Sequence, residues 1–169
     1  MKKFATTFGS STIKSDEKEY KEGYLIGSEL AKKGYILQCG GYQGLMEAVA
    51  KGAKEADGEC IGHCIEFFEK SRPENPYLTQ KIIHRDILDR LKALIDNSSI
   101  FIVQDGSLGT LNELIMVWTL AYIKVKESIR ICIVGKDNWQ EVKKLKIDKE
   151  LFEYLEFFDD AKSFLESVE

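Results

Sequence analysis

The sequence predicts a single α/β domain, a Rossmann-like three-layer sandwich with a mostly parallel central sheet, and three observations carry that expectation. Short β-prone runs alternate with helix-length amphipathic segments along all 169 residues, the pattern of repeated βαβ units. Ile100-Phe101-Ile102-Val103 is wholly apolar, as a central parallel strand covered on both faces requires. Three expected strands end in glycine or serine turns, at Gly9-Ser10-Ser11, Gly40-Gly41 and Gly106-Ser107. A parallel sheet gathers such turns along one edge, where its ligands bind.

Taken in order, Lys2 to Phe8 reads as the first strand. Ser15 or Asp16 can cap the helix that follows, in which Tyr20, Leu25, Ile26 and Leu30 recur at helical spacing before Gly34 stops it. Tyr35 to Cys39 is the second strand. After Gly40-Gly41-Tyr42-Gln43-Gly44, a second helix carries Leu45, Met46, Val49 and Ala53 on its apolar stripe and exits at Asp57-Gly58. Glu59 to Ile65 is the third strand. Residues 66–80 contain both prolines and little periodicity, so they read as a long loop with one helical turn over an open site. A strand at Lys81 to His84, a helix at Asp86 to Asp96 and a buried strand at Ser99 to Val103 come next. A helix from about Thr110 to Tyr122 and a strand at Ile129 to Val134 complete the alternation, and the amphipathic tail from Asn138 is expected as helix packed on the outside.

Composition narrows the function. A formal net charge of -4 with no basic stripe argues against a nucleic-acid partner, because phosphate-backbone binding needs clustered Lys and Arg. No stretch approaches the length of a membrane helix, so no membrane partner is expected. Four cysteines without an apolar cleavable leader read as reduced thiols in a cytoplasmic protein. Cys60, His63 and Cys64 resemble metal ligands in type, but strand geometry puts His63 on the face opposite the cysteines, and no metal is expected. His84 and Trp118 read as packing residues.

The chemistry concentrates where the strand ending at Val103 feeds Gln104-Asp105-Gly106-Ser107-Leu108-Gly109-Thr110-Leu111-Asn112-Glu113. Glycines admit a ligand close to the backbone, and the first amides of a helix, unpaired and at the positive end of its dipole, hold a phosphate without a side-chain cation. The same glycines also suit a plain tight turn.

This loop resembles the Pro-Gly-Gly-x-Gly-Thr-x-x-Glu motif of the Lonely Guy family, the cytokinin-activating phosphoribohydrolases and their bacterial relatives. Gly106, Gly109, Thr110 and Glu113 match, while Asp105 replaces the proline and Ser107 the second glycine. Arg90, in Asp86-Ile87-Leu88-Asp89-Arg90, matches the family's upstream arginine. Gly40-Gly41-Tyr42-Gln43-Gly44-Leu45-Met46 resembles its turn before Gly-Leu-Met, and Phe8-Gly9-Ser10-Ser11 its first-strand turn. The resemblance runs from about residue 4 to residue 135 and implies hydrolysis of the N-glycosidic bond of a nucleoside 5′-monophosphate, AMP-like or cytokinin-like, with no cofactor. Glu113 and Arg90 would then be catalytic. Gly106, Ser107, Leu108, Gly109 and Thr110, with Ser10, Ser11 and Gly41, would hold the substrate and its phosphate.

Each role has a plainer counterpart. Arg90 and Glu113 also fit an ion pair between adjacent helices, Ser10 and Ser11 a capped turn, and Gly40-Gly41 backbone punctuation. Asp105 brings a negative charge towards the expected phosphate, and Leu91 stands where many relatives carry lysine. A nucleotide sensor or carrier that binds without cleaving is therefore the second expectation. The lysine-decarboxylase label once given to such relatives would need a pyridoxal-phosphate lysine, and nothing nominates one. The resemblance also implies a homodimer, for which Leu114, Val117, Trp118 and Tyr122 are the candidate surface and the core their other use.

Overall fold

The computed structural model describes residues 2–126 and 128–169. The alternation read from the sequence folds as β1 (Lys3–Phe8), α1 (Lys18–Lys32), β2 (Tyr35–Cys39), α2 (Leu45–Glu55), β3 (Cys60–Ile65), β4 (Gln80–His84), α3 (Ile87–Asp96), β5 (Ile100–Val103), α4 (Leu108–Tyr122), β6 (Arg130–Val134), β7 (Leu155–Phe158) and α5 (Ala161–Glu166). All seven strands pair in parallel, in the order β4-β3-β2-β1-β5-β6-β7.

That order makes a Rossmann-like three-layer α/β sandwich. One core layer joins Ile26 and Leu30 of α1, Val49 and Ala53 of α2 and Phe164 of α5 to the sheet. The other joins Leu91, Leu94 and Ile95 of α3 and Leu114, Val117 and Trp118 of α4 to the opposite face. The central strands are buried on both sides, which explains why β5 is apolar without alternation. Successive strands step outward from β1 to β4 and then, beginning at β5, outward the other way. The reversal lies between β1 and β5, so the carboxyl ends of those two strands border the crevice where ligands of such sheets bind.

Three local expectations change. α1 begins at Lys18 after Glu17, so neither Ser15 nor Asp16 caps it; the Glu17 carboxylate instead accepts from the Lys14 amide, 2.6 Å away. α4 begins at Leu108, two residues earlier than expected. The tail is not simply helical: 3₁₀ turns at Gln140–Lys144 and Lys149–Tyr154 lead into β7 and then α5. β7 extends the sheet by pairing Ile131 with Leu155 and Val134 with Phe158, which covers backbone groups that β6 would otherwise leave as a bare edge.

Candidate active site at the switch between β1 and β5

The crevice beyond β1 and β5 encloses about 270 Å³. Its floor is set by backbone ties among three turns. The Ser10 amide donates to the Asp105 carbonyl at 2.8 Å, joining the turn after β1 to the turn after β5. The Leu45 amide donates to the Ser10 carbonyl at 2.8 Å, fixing the start of α2 beside them. One wall is the N-terminus of α4. Ser107 is its N-cap, but no side chain caps the helix, so the first-turn amides are left for water or a ligand. At Gly106 an added Cβ would lie 2.2 Å from the Thr110 hydroxyl oxygen; only glycine lets Thr110 fold back onto this loop.

Glu113 sits one turn further along α4 and Arg90 on α3, each side chain 13% exposed, with 3.7 Å between Arg90 Nη1 and Glu113 Oε1. Burial raises the Glu113 carboxyl from the usual 4.5 to about 7, and the nearby Arg90 charge opposes that rise only in part. Arg90 is held from the sheet: its Nε donates to the His63 carbonyl at 2.6 Å and its Nη2 to the Gly40 carbonyl at 3.2 Å. Gly40 has no side chain for a reason of space, since a Cβ there would come within 2.2 Å of Arg90 Nη2. The pair is therefore more than two surface charges meeting. It is a buried acid beside a guanidinium that the ends of β2 and β3 lock in place.

Behind Arg90 runs a polar chain that the sequence did not disclose. Thr6 Oγ1 donates to the Leu94 carbonyl at 2.7 Å, so Ser98 Oγ, also at 2.7 Å, donates to Thr6. Gln38 Nε2 donates to Ser98 Oγ at 3.0 Å, which turns Gln38 Oε1 towards His63 Nε2 at 2.9 Å. His63 Nδ1 must then accept from His84 Nε2, 3.0 Å away. Burial, and after it the His84 and Arg90 charges, lower the His63 imidazole to about 4, so it is neutral. His84, expected to be a packing residue, is instead the outer end of this chain.

Of the residues expected from the sequence, Ser10, Ser11, Ser107, Gly109, Thr110, Arg90 and Glu113 share the crevice wall. Gly106, Leu108 and Gly41 lie outside it: Gly106 shapes the loop, the Leu108 side chain is 79% exposed, and the Gly41 carbonyl accepts from Cys64 Sγ at 3.6 Å. Ser10 Oγ is engaged locally with Thr12, accepting from its amide at 3.1 Å and sharing a bond with its hydroxyl at 2.8 Å. Asp105 does not line the crevice, and Leu91 is buried in the core beneath α3. Leu114, Val117 and Trp118, the candidate association surface, are core residues, leaving only Tyr122 of that set exposed. Among the described residues no three His, Cys, Asp or Glu side chains cluster as metal ligands, and all four cysteines are buried thiols.

Sequence reasoning missed the far wall, formed by Tyr42, Met46, Phe68, Arg72 and Ile87. The signal was present in part, since Phe68 and Arg72 lie in the proline-containing loop expected to cross an open site.

Comparisons with known proteins bear on the family and the fold. The chain is 26% identical over 115 residues to a cytokinin riboside 5′-monophosphate phosphoribohydrolase of Mycobacterium marinum, covering 68% of this chain and 60% of that protein. It is 29% identical, with the same coverage, to the protein of that name from Mycobacterium tuberculosis. The chain thus spans 60% of the length of these curated relatives. In fold it is similar to the molybdenum cofactor binding protein of Rippkaea orientalis, with a TM-score of 0.77 and 19% identity over 99% of this chain and 95% of that one. Residues 2–152 match the profile of the SLOG cluster4 family, and the chain belongs to that family.

Proposed function

We propose that the protein hydrolyses the N-glycosidic bond of a nucleoside 5′-monophosphate such as AMP, giving a free base and ribose 5-phosphate. The observation that carries this reading is Glu113: a carboxyl 13% exposed, held beside Arg90, on the wall of the same crevice that receives the uncapped start of α4. The phosphate rests on the first-turn amides of α4, with the Ser107 and Thr110 hydroxyls beside it. Ser11 and the turn after β1 close the other side.

With the phosphate there, the ribose lies against Glu113. As the bond from C1′ to the base nitrogen breaks, its electron pair leaves with the base and positive charge builds on the sugar. The Glu113 carboxylate stabilises that charge and takes a proton from the water that adds to C1′; the departing base takes up a proton from solvent, and Glu113 later releases its own to solvent. Arg90 touches no reacting atom in this scheme. It is a positioning residue, fixing the carboxylate through bonds to two strand ends.

The reading extends to a reducing, cytoplasmic setting for the four buried thiols, and to a homodimer. Its face is the apolar groove of about 410 Å³ between α3 and α4, where Leu88 and Val125 are each 70% exposed, rather than the buried stripe of α4. Sedimentation of the wild type against Leu88→Glu tests that face.

Base release from a panel of monophosphates, followed by chromatography, tests the reaction. The wild type liberates base, and Glu113→Gln lowers the rate by about 10²- to 10⁴-fold while ribose 5-phosphate still binds. Tight nucleotide binding with no base released from any monophosphate would discard hydrolysis in favour of a carrier.

A further inference from the structure

Among the described residues Arg72 is the one charged side chain lining the crevice that this mechanism leaves without a task. Its guanidinium carbon lies 4.2 Å from the Phe68 ring centroid and 4.9 Å from that of Tyr42. Arg90 stands 6.0 Å from the same Tyr42 ring, so the two arginines share one aromatic wall. They differ in what they already hold. Arg90 donates to two backbone carbonyls and approaches Glu113. Among the described residues the Arg72 guanidinium has neither a hydrogen-bond acceptor nor a carboxylate, and two of the three acids of its loop, Glu69 and Glu74, pair with Lys81 at 2.7 and 3.2 Å.

The loop that carries Arg72 is fixed, so the free fork is aimed. Gln43 donates to the Pro73 carbonyl, and Asn75 Nδ2 donates to the Tyr42 carbonyl at 3.1 Å. The Tyr42 hydroxyl accepts from the Ile65 amide at 2.9 Å, and the Arg72 amide donates to the Phe68 carbonyl at 3.0 Å. A guanidinium held against two rings and left unpaired keeps its planar donors for something that enters the crevice.

We propose that Arg72 makes this crevice select a 6-oxopurine, guanine or hypoxanthine, over adenine in the monophosphate it takes. The inference rests on the nucleotide reading above. With the phosphate at α4 and the ribose at Glu113, the base meets the largely apolar wall of Tyr42, Met46, Phe68 and Ile87. O6 and N7 of a 6-oxopurine are adjacent acceptors that match the two-donor fork of arginine; adenine presents N7 beside an amino donor, which the fork repels. The same wall offers an amino group no good acceptor. The Tyr42 hydroxyl is engaged with Ile65, and among the described residues no carboxylate or amide side chain lines this end.

The test compares GMP, IMP and AMP as substrates of the wild type, Arg72→Met and Arg72→Lys, with melting curves to verify folding. IMP isolates the 6-oxo group, since it lacks the 2-amino group of GMP. The wild type favours both oxopurines over AMP in kcat/KM by about tenfold or more, the scale of one matched bidentate contact. Arg72→Met brings the ratio near one, and Arg72→Lys, a point charge without a fork, retains part of it. A wild type that uses AMP as well as GMP, or a folded Arg72→Met with an unchanged ratio, overturns the assignment. Should no monophosphate be cleaved, the hydrolysis reading fails alone, and calorimetric binding of the three nucleotides decides: GMP and IMP tighter than AMP, with the difference lost in Arg72→Met, supports the role of Arg72, and equal or absent binding removes it.

Discussion

At one end of the crevice the lining groups are backbone amides and small hydroxyls at the ends of β1 and β5; at the other they are the side chains of Tyr42, Phe68 and Arg72, carried by a turn and by the loop between β3 and β4. The first end is a consequence of topology. A helix that begins uncapped at the switch point presents unpaired amides whatever its outer residues are, and the Ser107 side chain leaves them so because it makes no capping bond. The second end depends on which side chains the loop carries and on the bonds that hold it down. Under the proposed function the invariant part of a nucleotide falls to backbone and the variable part to side chains, with Glu113 and Arg90 at the boundary.

The comparison predicts that disturbing the boundary costs most. Gly40→Ala inserts a methyl group where Arg90 Nη2 now lies, so Arg90 shifts and Glu113 loses its partner. Displacements on this scale cost about 10²-fold in rate, and steady-state kinetics should show the loss in kcat more than in KM. A loss confined to KM would mean that the pair serves binding.

The acidity of Glu113 gives the next effect. Its carboxyl titrates near 7 and must be ionised to act, so kcat/KM should fall about tenfold per pH unit below that point and level off above it. A profile flat between pH 5 and 8, on either side of about 7, would exclude Glu113 as the essential base. At the backbone end, Gly106→Ala drives a methyl group against Thr110 and should weaken ribose 5-phosphate inhibition by about tenfold, the loss expected when a hydrogen bond to a charged group is disturbed.

The smallest effect is on stability, and its sign follows from the direction of the Glu113 shift. A carboxyl raised in the folded state has no penalty below its ordinary value near 4.5, gains one as pH rises, and bears all of it above about 7. Glu113→Gln should therefore stabilise the protein at pH 8 by about 1–3 kcal/mol and leave it unchanged at pH 4. Urea unfolding at the two pH values measures the difference. Stabilisation of a site residue by its own removal would mark Glu113 as a group kept for chemistry at a cost in stability.

Much of this was legible before any coordinates. The alternation of strands and helices, the apolar run of β5 and the glycine turns specify an α/β sheet and its ligand edge, because periodicity and backbone freedom are local properties of residues. β7 was not legible. Leu155-Glu156-Phe157-Phe158 lies in a stretch whose spacing also suits a helix, and its strand identity comes from the free edge of β6. The two histidines, 21 residues apart on neighbouring strands, carried no sign of the bond that joins them. The far wall was signalled only as a loop over an open site.

The sequence by itself determined the layer architecture and the turns that leave the start of α4 open, since both follow from local patterning and from the unpaired amides every helix start possesses. Tertiary structure alone decided the rest. Whether Arg90 and Glu113 are two solvated charges or a buried, raised acid beside a fixed guanidinium depends on which strand ends supply carbonyls and how much water the neighbours exclude. Charge energetics are set by distance and solvation, and neither is written along a chain.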